Sequence, residues 1–249
     1  MTPGRLLEGK RALITGGSRN LGRALCATFT SLGARVAFTW TRNEEDARAT
    51  REVTRVLGSE ARDFRVSVLD QQATAAMFDE LERDQGGVDV LINNCGVNQN
   101  LPLTLLEEED FDRVMAVNVK GAFLTSKIAL KGMIRRREGT IVNLSSIVAT
   151  RMLGAPVHYV ASKAALEGLT RAIAGEVARH GVRVNCVAAG LLEGGISGGL
   201  PEHHRKDYLV HAALHRVVAF DEVAKLVAFV ASGRNGAMTG ETIHVDGGL

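Results

Sequence analysis

The sequence predicts a doubly wound α/β fold, in which helices pack on both faces of one parallel β-sheet. Two kinds of hydrophobic segment alternate along the chain. Short runs rich in β-branched residues are typical of buried parallel strands, and longer segments have the 3.6-residue period of helices. Strand followed by helix, repeated about six times, is the pattern of such a sheet. Because the rhythm continues without a break in composition, we expect one domain over residues 1–249.

The predicted elements follow one another in a regular order. Strands are predicted at residues 11–15, 35–39, 61–66, 88–92, 140–144, 182–187 and 242–245. Helices are predicted at residues 21–32, 43–57, 73–83, 107–137, 159–180 and 221–231. Ligands of open α/β sheets bind beyond the carboxyl ends of the strands, so the glycine and polar residues that follow the strands are the functional candidates.

Composition excludes several classes of protein. With 45% hydrophobic and 23% charged residues the chain is not generally disordered, and 30 Lys+Arg against 28 Asp+Glu gives too small a charge for a dedicated nucleic-acid binder. Cys26, Cys95 and Cys186 are far apart, which favours neither a disulfide framework nor a zinc site. There is no signal-peptide pattern and no apolar window of about 18 residues. We therefore expect a cytoplasmic protein without nucleic-acid, membrane or metal partners.

Residues 15–22 form a glycine-rich turn between the first strand and the first helix. Glycine lets backbone N–H groups approach a phosphate, and the helix N-terminus adds partial positive charge. An ordinary tight turn is the alternative interpretation. A P-loop is excluded, because Arg23 and Ala24 stand where Lys and Ser or Thr are required.

The charges near this turn favour NADP over NAD. NAD sites usually place an acidic residue after the second strand, to bind the ribose hydroxyls. Here no acid precedes Glu44, whereas Arg19 lies in the turn and Arg42 follows the strand. Either arginine alone is explained by solvation, but together they fit a 2′-phosphate.

Tyr159 and Lys163 share one face of a predicted helix, because they are four residues apart. An ammonium near a phenol is expected to lower the tyrosine pKa, which suits a general acid or base. Ser146 follows the fifth strand at the same rim of the sheet, where its hydroxyl would bind a substrate oxygen. Alone, the Tyr–Lys pair is also compatible with a core-edge tyrosine and a solvated lysine.

These motifs resemble those of the short-chain dehydrogenase/reductase family, most closely its bacterial β-ketoacyl-[acyl-carrier-protein] reductase branch. Thr15, Gly16 and Gly22 match the family's TGxxxGxG turn, with Asn20 in place of the middle glycine. Residues 93–96 match its NNAG sequence, with Cys in place of Ala, and residues 239–248 match its usual ending. The resemblance covers essentially the whole chain and implies a single-domain Rossmann-type fold.

The resemblance also implies roles for individual residues. Tyr159 would donate the proton, Ser146 orient the carbonyl, Lys163 bind the nicotinamide ribose and tune Tyr159, and Asn118 hold a relay water. The implied cofactor-binding residues are Thr15, Gly16, Ser18, Arg19, Asn20, Leu21, Gly22, Arg42, Ser67, Val68, Asn94, Cys95, Gly96, Tyr159, Lys163 and Gly190. Ser67 replaces the family's Asp, Gly194 replaces a Thr, and the usual Pro-Gly pair lacks its proline. These departures concern cofactor details and substrate choice.

The expected activity is NADPH-dependent reduction of a ketone, with a β-ketoacyl thioester as the expected substrate. The alternatives are an NAD(P)-dependent dehydrogenase of a free small molecule and a nucleotide-sensing protein without turnover. A flexible loop at about residues 191–215 is expected to close over the substrate. His203 and His204, adjacent and without a third ligand, are interpreted as a solvated face rather than a metal site.

Partner surfaces are predicted from charge and from the sheet edge. If an acyl carrier protein delivers the substrate, the three arginines at residues 135–137 and Arg179 would lie near the site entrance. The last strand, residues 242–245, and the apolar tail, residues 247–249, favour association, since an unpaired edge invites pairing with another chain, and the family resemblance implies a homotetramer. Packing of the tail on its own subunit is the alternative.

Overall fold

The β-branched runs form a single sheet of parallel strands, in the computed structural model that describes residues 5–199 and 202–249. The strand order is β3-β2-β1-β4-β5-β6-β7. The strands are β1 (Arg11–Ile14), β2 (Arg35–Trp40), β3 (Arg62–Arg65), β4 (Val90–Asn93), β5 (Gly139–Ser146), β6 (Val182–Ala189) and β7 (Thr242–Val245). Each predicted strand is present within a few residues of its expected bounds, so the predicted fold class is confirmed.

The helices connect these strands and match the periodic segments. They are α1 (Asn20–Ser31), α2 (Glu44–Val56), α3 (Gln71–Gln85), α4 (Glu108–Met115), α5 (Gly121–Arg136), α6 (Val157–Val177), α7 (Glu202–His211) and α8 (Phe220–Ala231). Side-chain caps start two of them: Asn43 accepts the N–H groups of Glu45 and Asp46, and Asp70 accepts that of Ala73. The single helix predicted for residues 107–137 is divided into α4 and α5 by a π-helical turn, Ala116–Lys120.

Strand side chains alternate between two apolar cores, one on each face of the sheet. In β1, for example, Ala12 and Ile14 pack into one core and Leu13 into the other. Helices α1 and α8 supply Phe29 and Val227 to the first core, while α3, α5 and α6 cover the second. Burial on both faces explains why the strands are almost uniformly apolar.

The chain crosses the sheet once, and this crossing positions the site. It runs outward from β1 through β2 to β3, then returns to place β4 against the other side of β1. The loops that leave β1 and β4 therefore diverge and open a crevice at the carboxyl edge of the sheet. Among the described residues, no helix combines the length and the apolarity needed to cross a membrane.

Candidate active site

A cleft of about 1460 Å³ lies along the carboxyl edge of the sheet. Ligand pockets commonly have about 300–1,000 Å³, so this volume accommodates a dinucleotide and a substrate together. One end of the cleft is formed by the loops after β1 and β2, and the other by the segments after β5 and β6. We call these the nucleotide end and the substrate end.

The glycine turn at the nucleotide end has the shape of a phosphate cradle. A side chain at Gly22 would overlap the carbonyl oxygen of Gly16, so the helix can start this close to the strand only with glycine. Asn20 adopts a φ of 49°, the left-handed conformation expected of the residue that replaces the family's glycine. The open N-terminus of α1 fits a dinucleotide phosphate.

Side chains behind the turn hold it in place. Arg23 donates to the carbonyl of Ser18 at 2.9 Å and to the hydroxyl of Thr50 at 3.0 Å. Thr15 is buried, and its hydroxyl accepts the N–H groups of Asn94 and Cys95, both at 3.0 Å. Thr15 does not line the cleft, and its hydroxyl joins β1 to the end of β4, so its contact with the cofactor remains a prediction.

Arg19 and Arg42 both line the nucleotide end and are exposed. Within residues 5–199 and 202–249, neither forms an ion pair or a side-chain hydrogen bond with another residue. The carboxylate at this end, Asp46, lies 3.3 Å from Arg23 instead. Two guanidinium groups are therefore available to an anionic ligand.

The remaining predicted cofactor residues also lie on the cleft wall, namely Ser18, Leu21, Ser67, Val68, Asn94, Cys95, Gly96 and Gly190. Ser67 accepts the N–H of Leu69 at 3.3 Å through its hydroxyl oxygen. Burial raises the pKa of the Cys95 thiol, which keeps the thiol neutral and agrees with its interpretation as a small apolar residue.

Ser146, Tyr159 and Lys163 come together at the substrate end. Ser146 is the last residue of β5, and its hydroxyl lies near enough to Tyr159 on α6 to act on the pKa of the phenol. The Lys163 Nζ lies 5.6 Å from the centroid of the Tyr159 ring and donates to the carbonyl of Leu144 at 2.7 Å. All three side chains line the cleft.

Burial dominates the electrostatics of this group. It raises the pKa of Tyr159 to about 12, against a smaller lowering by the hydrogen bond with Ser146. The lowered pKa that we expected from the neighbouring Lys163 is wrong, because burial of the phenol outweighs the lysine charge, and the ammonium donates to the Leu144 carbonyl. Burial also lowers the pKa of Lys163 to about 8.

Asn118 lies in the π-helical turn and is buried. Its amide nitrogen donates to the carbonyl of Val97 and the hydroxyl of Ser162, both at 3.0 Å, and its oxygen accepts the N–H of Val97 at 2.8 Å. The side chain therefore fixes the loop after β4 and does not line the cleft. The relay-water role remains a prediction.

Helix α7 lies over the substrate end, within the loop predicted at residues 191–215. Residues 200 and 201 of that loop lie outside the described residues. The segment includes a 3-10 turn, Gly195–Gly199, whose first residue lies against Asn20: a Cβ at Gly195 would be 3.4 Å from the Asn20 amide nitrogen. Tyr208 anchors α7 by donating its hydroxyl hydrogen to the carbonyl of Asp246.

The inner face of α7 is polar, and it includes a histidine that we expected to be solvated. The side chains of His204, Asp207, Tyr208 and His211 line the cleft. His204 is half-buried against Gly154, and its Nδ1 is shielded from solvent and has no hydrogen-bond partner in the described part of the chain. The prediction of a solvated face is therefore wrong for His204, whereas His203 is exposed.

Comparison with known proteins gives a consistent assignment. A family model described as enoyl-(acyl carrier protein) reductase matches residues 16–249. The 3-oxoacyl-[acyl-carrier-protein] reductase of Escherichia coli is 34% identical, with 97% of this chain and 98% of that enzyme covered. Its counterpart in Vibrio cholerae is 36% identical, with 98% of each chain covered. The chain belongs to the short-chain dehydrogenase/reductase family.

Solved structures of short-chain dehydrogenases/reductases show the same fold. A protein described as a short-chain alcohol dehydrogenase of Sinorhizobium meliloti superposes with a TM-score of 0.92 at 32% identity, covering 98% of both chains. A gluconate 5-dehydrogenase of Burkholderia cenocepacia, in complex with NADP and tartrate, gives 0.91 at 30% identity, covering 98% of this chain and 96% of that one. The chain is thus an oxidoreductase of a family that uses a nicotinamide cofactor.

One predicted surface is not at the entrance of this short-chain dehydrogenase/reductase site. Arg137 and Arg179 immediately precede β5 and β6, so they lie at the amino edge of the sheet. Ser146 lies eight strand residues further on, about 25 Å away. Arg135 and Arg136 pair with Glu82. Within one chain, the prediction that these arginines flank the entrance is wrong.

Sequence reasoning also missed residues that line the substrate end. Arg113 on α4 and Arg151 after β5 both contribute to the cleft wall, and both are exposed. Arg151 had a usable signal, because it follows a strand that ends at a predicted catalytic residue. Arg113 had none, since it reaches the cleft only through the packing of α4.

Proposed function

We propose that this chain uses NADPH to reduce a ketone to a secondary alcohol, with a β-ketoacyl thioester as substrate. The observation that carries the proposal is the placement of Ser146, Tyr159 and Lys163 at one end of a cleft whose other end has two unpaired arginines. Relatives named 3-oxoacyl-[acyl-carrier-protein] reductases support the substrate class.

The nucleotide end would hold the cofactor through the glycine turn. The N-terminus of α1 and the backbone around Gly16 and Gly22 would bind the diphosphate, while Arg19 and Arg42 would bind the 2′-phosphate of NADPH. A bound nicotinamide supplies the hydride that adds to the carbonyl carbon. The chain's own residues provide everything required at the carbonyl oxygen.

Tyr159 would donate the proton to that oxygen. With a pKa of about 12, its phenol is protonated at neutral pH, which suits the reductive direction. Ser146, close to Tyr159, would bind the same oxygen while negative charge develops there. The nearby Lys163 ammonium would stabilise the phenolate that remains, until solvent returns its proton.

The apolar residues that line the cleft beside the substrate end favour an acyl substrate. They are Ile147, Val148, Met152, Leu153, Ala155, Pro156, Ile196 and Phe220. Met152 is fully exposed. An acyl chain would cover this surface, whereas a small polar substrate would leave it in water.

A second candidate function is the NAD(P)-dependent dehydrogenation of a free polar small molecule. The polar inner face of α7 favours it, because Asp207 and the ring nitrogens of His204 and His211 would bind hydroxyl groups. The same Tyr159 would then act as the base. For either function we propose a homotetramer, and an acyl carrier protein remains the proposed partner for a thioester.

A substrate panel tests these functions directly. NADPH oxidation is followed with β-ketoacyl thioesters of coenzyme A, with the same groups on an acyl carrier protein, and with free ketones and keto sugars. The proposal expects the highest kcat/KM for the thioesters. Preference for keto sugars would establish the second candidate, and NADPH binding without turnover of any substrate would indicate a nucleotide-sensing protein.

A further inference from the structure

Helix α6 starts without an N-cap side chain, although Tyr159 lies in its first turn. The N-cap position is Pro156, and no side chain there accepts a hydrogen bond. The first N–H groups of a helix have no partner within the helix and are usually satisfied by a cap. Here His158 supplies the acceptor: the backbone N–H of Tyr159 donates to its Nδ1 at 2.9 Å.

The hydrogen bond fixes the state of the His158 ring. Since Nδ1 accepts a hydrogen bond, it carries no hydrogen, and the ring is neutral with its hydrogen on Nε2. The side chain is completely buried, and burial lowers its pKa against the smaller raising effects of Asp110 and of the Pro156 backbone, which agrees with a neutral ring. Within the described residues, Nε2 has no hydrogen-bond partner. A buried donor without a partner is costly, so an acceptor is expected nearby.

Asp110 on α4 is a carboxylate that acts on this ring. Helix α4 packs on α6, and the Asp110 carboxylate is close enough to act electrostatically on the His158 ring. The carboxylate is half-buried and accepts no hydrogen bond from any described residue. Among the described residues no hydrogen bond joins Asp110 to His158, so a chain from Asp110 through the imidazole to the Tyr159 backbone requires the carboxylate to move toward Nε2.

We propose that His158 is a positioning residue for Tyr159, holding its backbone N–H through Nδ1, and that Asp110 holds the imidazole by accepting its Nε2 hydrogen. The carboxylate, the ring and the first turn of α6 then set the position of the phenol relative to Ser146. The contribution of His158 to turnover rests on the proposed function. It acts on proton transfer and not on the nucleotide end, so its loss affects kcat rather than cofactor affinity.

Two substitutions separate the acceptor from the ring. In H158F the ring volume is kept and the acceptor is lost. In H158N the amide oxygen lies near the former Nδ1 and accepts the same N–H. We expect kcat for ketone reduction to fall about tenfold or more in H158F, with the Kd for NADPH changed less than about twofold, and H158N to recover most of the loss.

Thermal unfolding identifies any variant that does not fold. Wild-type kcat in H158F, or equal losses in two folded variants, would overturn the positioning role.

Asp110 is tested by a double-mutant cycle. D110A should lower kcat severalfold in the wild-type background and have no further effect in H158F, because Asp110 acts through the ring. Equal effects in both backgrounds would refute the Asp110 link.

A measurement without turnover distinguishes this proposal from the proposed function. In the intact protein at pH 7, ¹⁵N NMR of the His158 ring should show a protonated Nε2 and an unprotonated Nδ1. A charged ring or the other tautomer would refute the hydrogen bond to Tyr159, whether or not any ketone is reduced. Absence of ketone reduction with the expected tautomer would contradict the proposed function alone.

Discussion

The side-chain amide of Asn93 on β4 donates to the amide oxygen of Asn143 on β5 at 2.8 Å, and both residues are buried. The remaining groups are also paired. Asn143 donates to the Thr170 hydroxyl on α6 at 2.8 Å, and Asn93 accepts the Thr125 hydroxyl hydrogen on α5 at 2.7 Å. Two strands and two helices are therefore joined through one polar cluster inside an apolar core.

We expect N143A to lower the free energy of unfolding by about 2 kcal/mol, because it removes two buried hydrogen bonds, one from Asn93 and one to Thr170. Urea unfolding at pH 7 measures the change. Gln72→Ala, at an exposed position on α3, serves as the control and should cost less than about 0.5 kcal/mol. A similarly small loss in N143A would show that water replaces the missing amide.

Y159F should lower kcat at least about a hundredfold, because it removes the proposed proton donor. Binding of NADPH, followed by fluorescence titration, should remain nearly unchanged. The chain has one other tyrosine, so Y208F provides a matched control that loses only the hydrogen bond to Asp246. We expect Y208F to retain kcat within about tenfold, and a Y159F enzyme with near-wild-type turnover would eliminate Tyr159 as the donor.

Replacing Arg19 and Arg42 by alanine should raise KM for NADPH about tenfold or more, with a much smaller change for NADH. The reason is that charge-assisted hydrogen bonds to the 2′-phosphate are available only to NADPH. Arg48→Ala is the control, because Arg48 is exposed on α2 but does not line the cleft. Equal losses for both cofactors would mean that neither arginine recognises the 2′-phosphate.

The lowered pKa of Lys163 predicts how reduction depends on pH. Below about 8 its side chain is an ammonium that stabilises the developing phenolate of Tyr159, and above about 8 it is neutral. We therefore expect kcat/KM for reduction to fall as pH rises through about 8. In K163M the residual activity should lack this step. The same midpoint in K163M would assign the step to another group.

Association through the edge of the sheet is expected to give a homotetramer. In the described part of the chain, β7 is an edge strand of half-exposed residues with only β6 as neighbour. Unpaired backbone groups along such an edge favour contact with a second copy. Sedimentation velocity at micromolar concentration should show a tetramer, and a monomer would contradict the prediction.

Local pattern was sufficient to predict the fold. The alternation of strand and helix segments, the helical period and the Tyr159–Lys163 spacing all depend on residues close together in the chain, so they are visible in the sequence. The π-helical turn at Asn118 is not, because it depends on a shifted backbone hydrogen bond rather than on residue type. The position of Arg137 at the amino edge of the sheet could have been predicted from the sequence. A residue that precedes a parallel strand lies at the opposite edge from the carboxyl end, where the site is.

Properties that depend on tertiary burial could not be predicted. The spacing of Tyr159 and Lys163 indicated a lowered phenol pKa, but burial of the phenol outweighs the lysine charge and raises it. The proposed positioning role of His158 involves Asp110 on α4, which lies about 50 residues earlier in the chain. No sequence motif connects the two residues, so their proximity is not visible in the sequence. His204 likewise becomes part of the cleft only because α7 packs over Gly154.

The contact between Gly195 and Asn20 has a kinetic consequence. The segment leading into α7 lies against Asn20 of the glycine turn, so we expect a substrate enclosed under α7 to block the passage to the nucleotide end. Dinucleotide would then arrive before substrate and depart after product. Such a compulsory order makes the oxidised nucleotide a competitive inhibitor toward the reduced one, and it makes release of the spent nucleotide a candidate for the slowest step of each cycle.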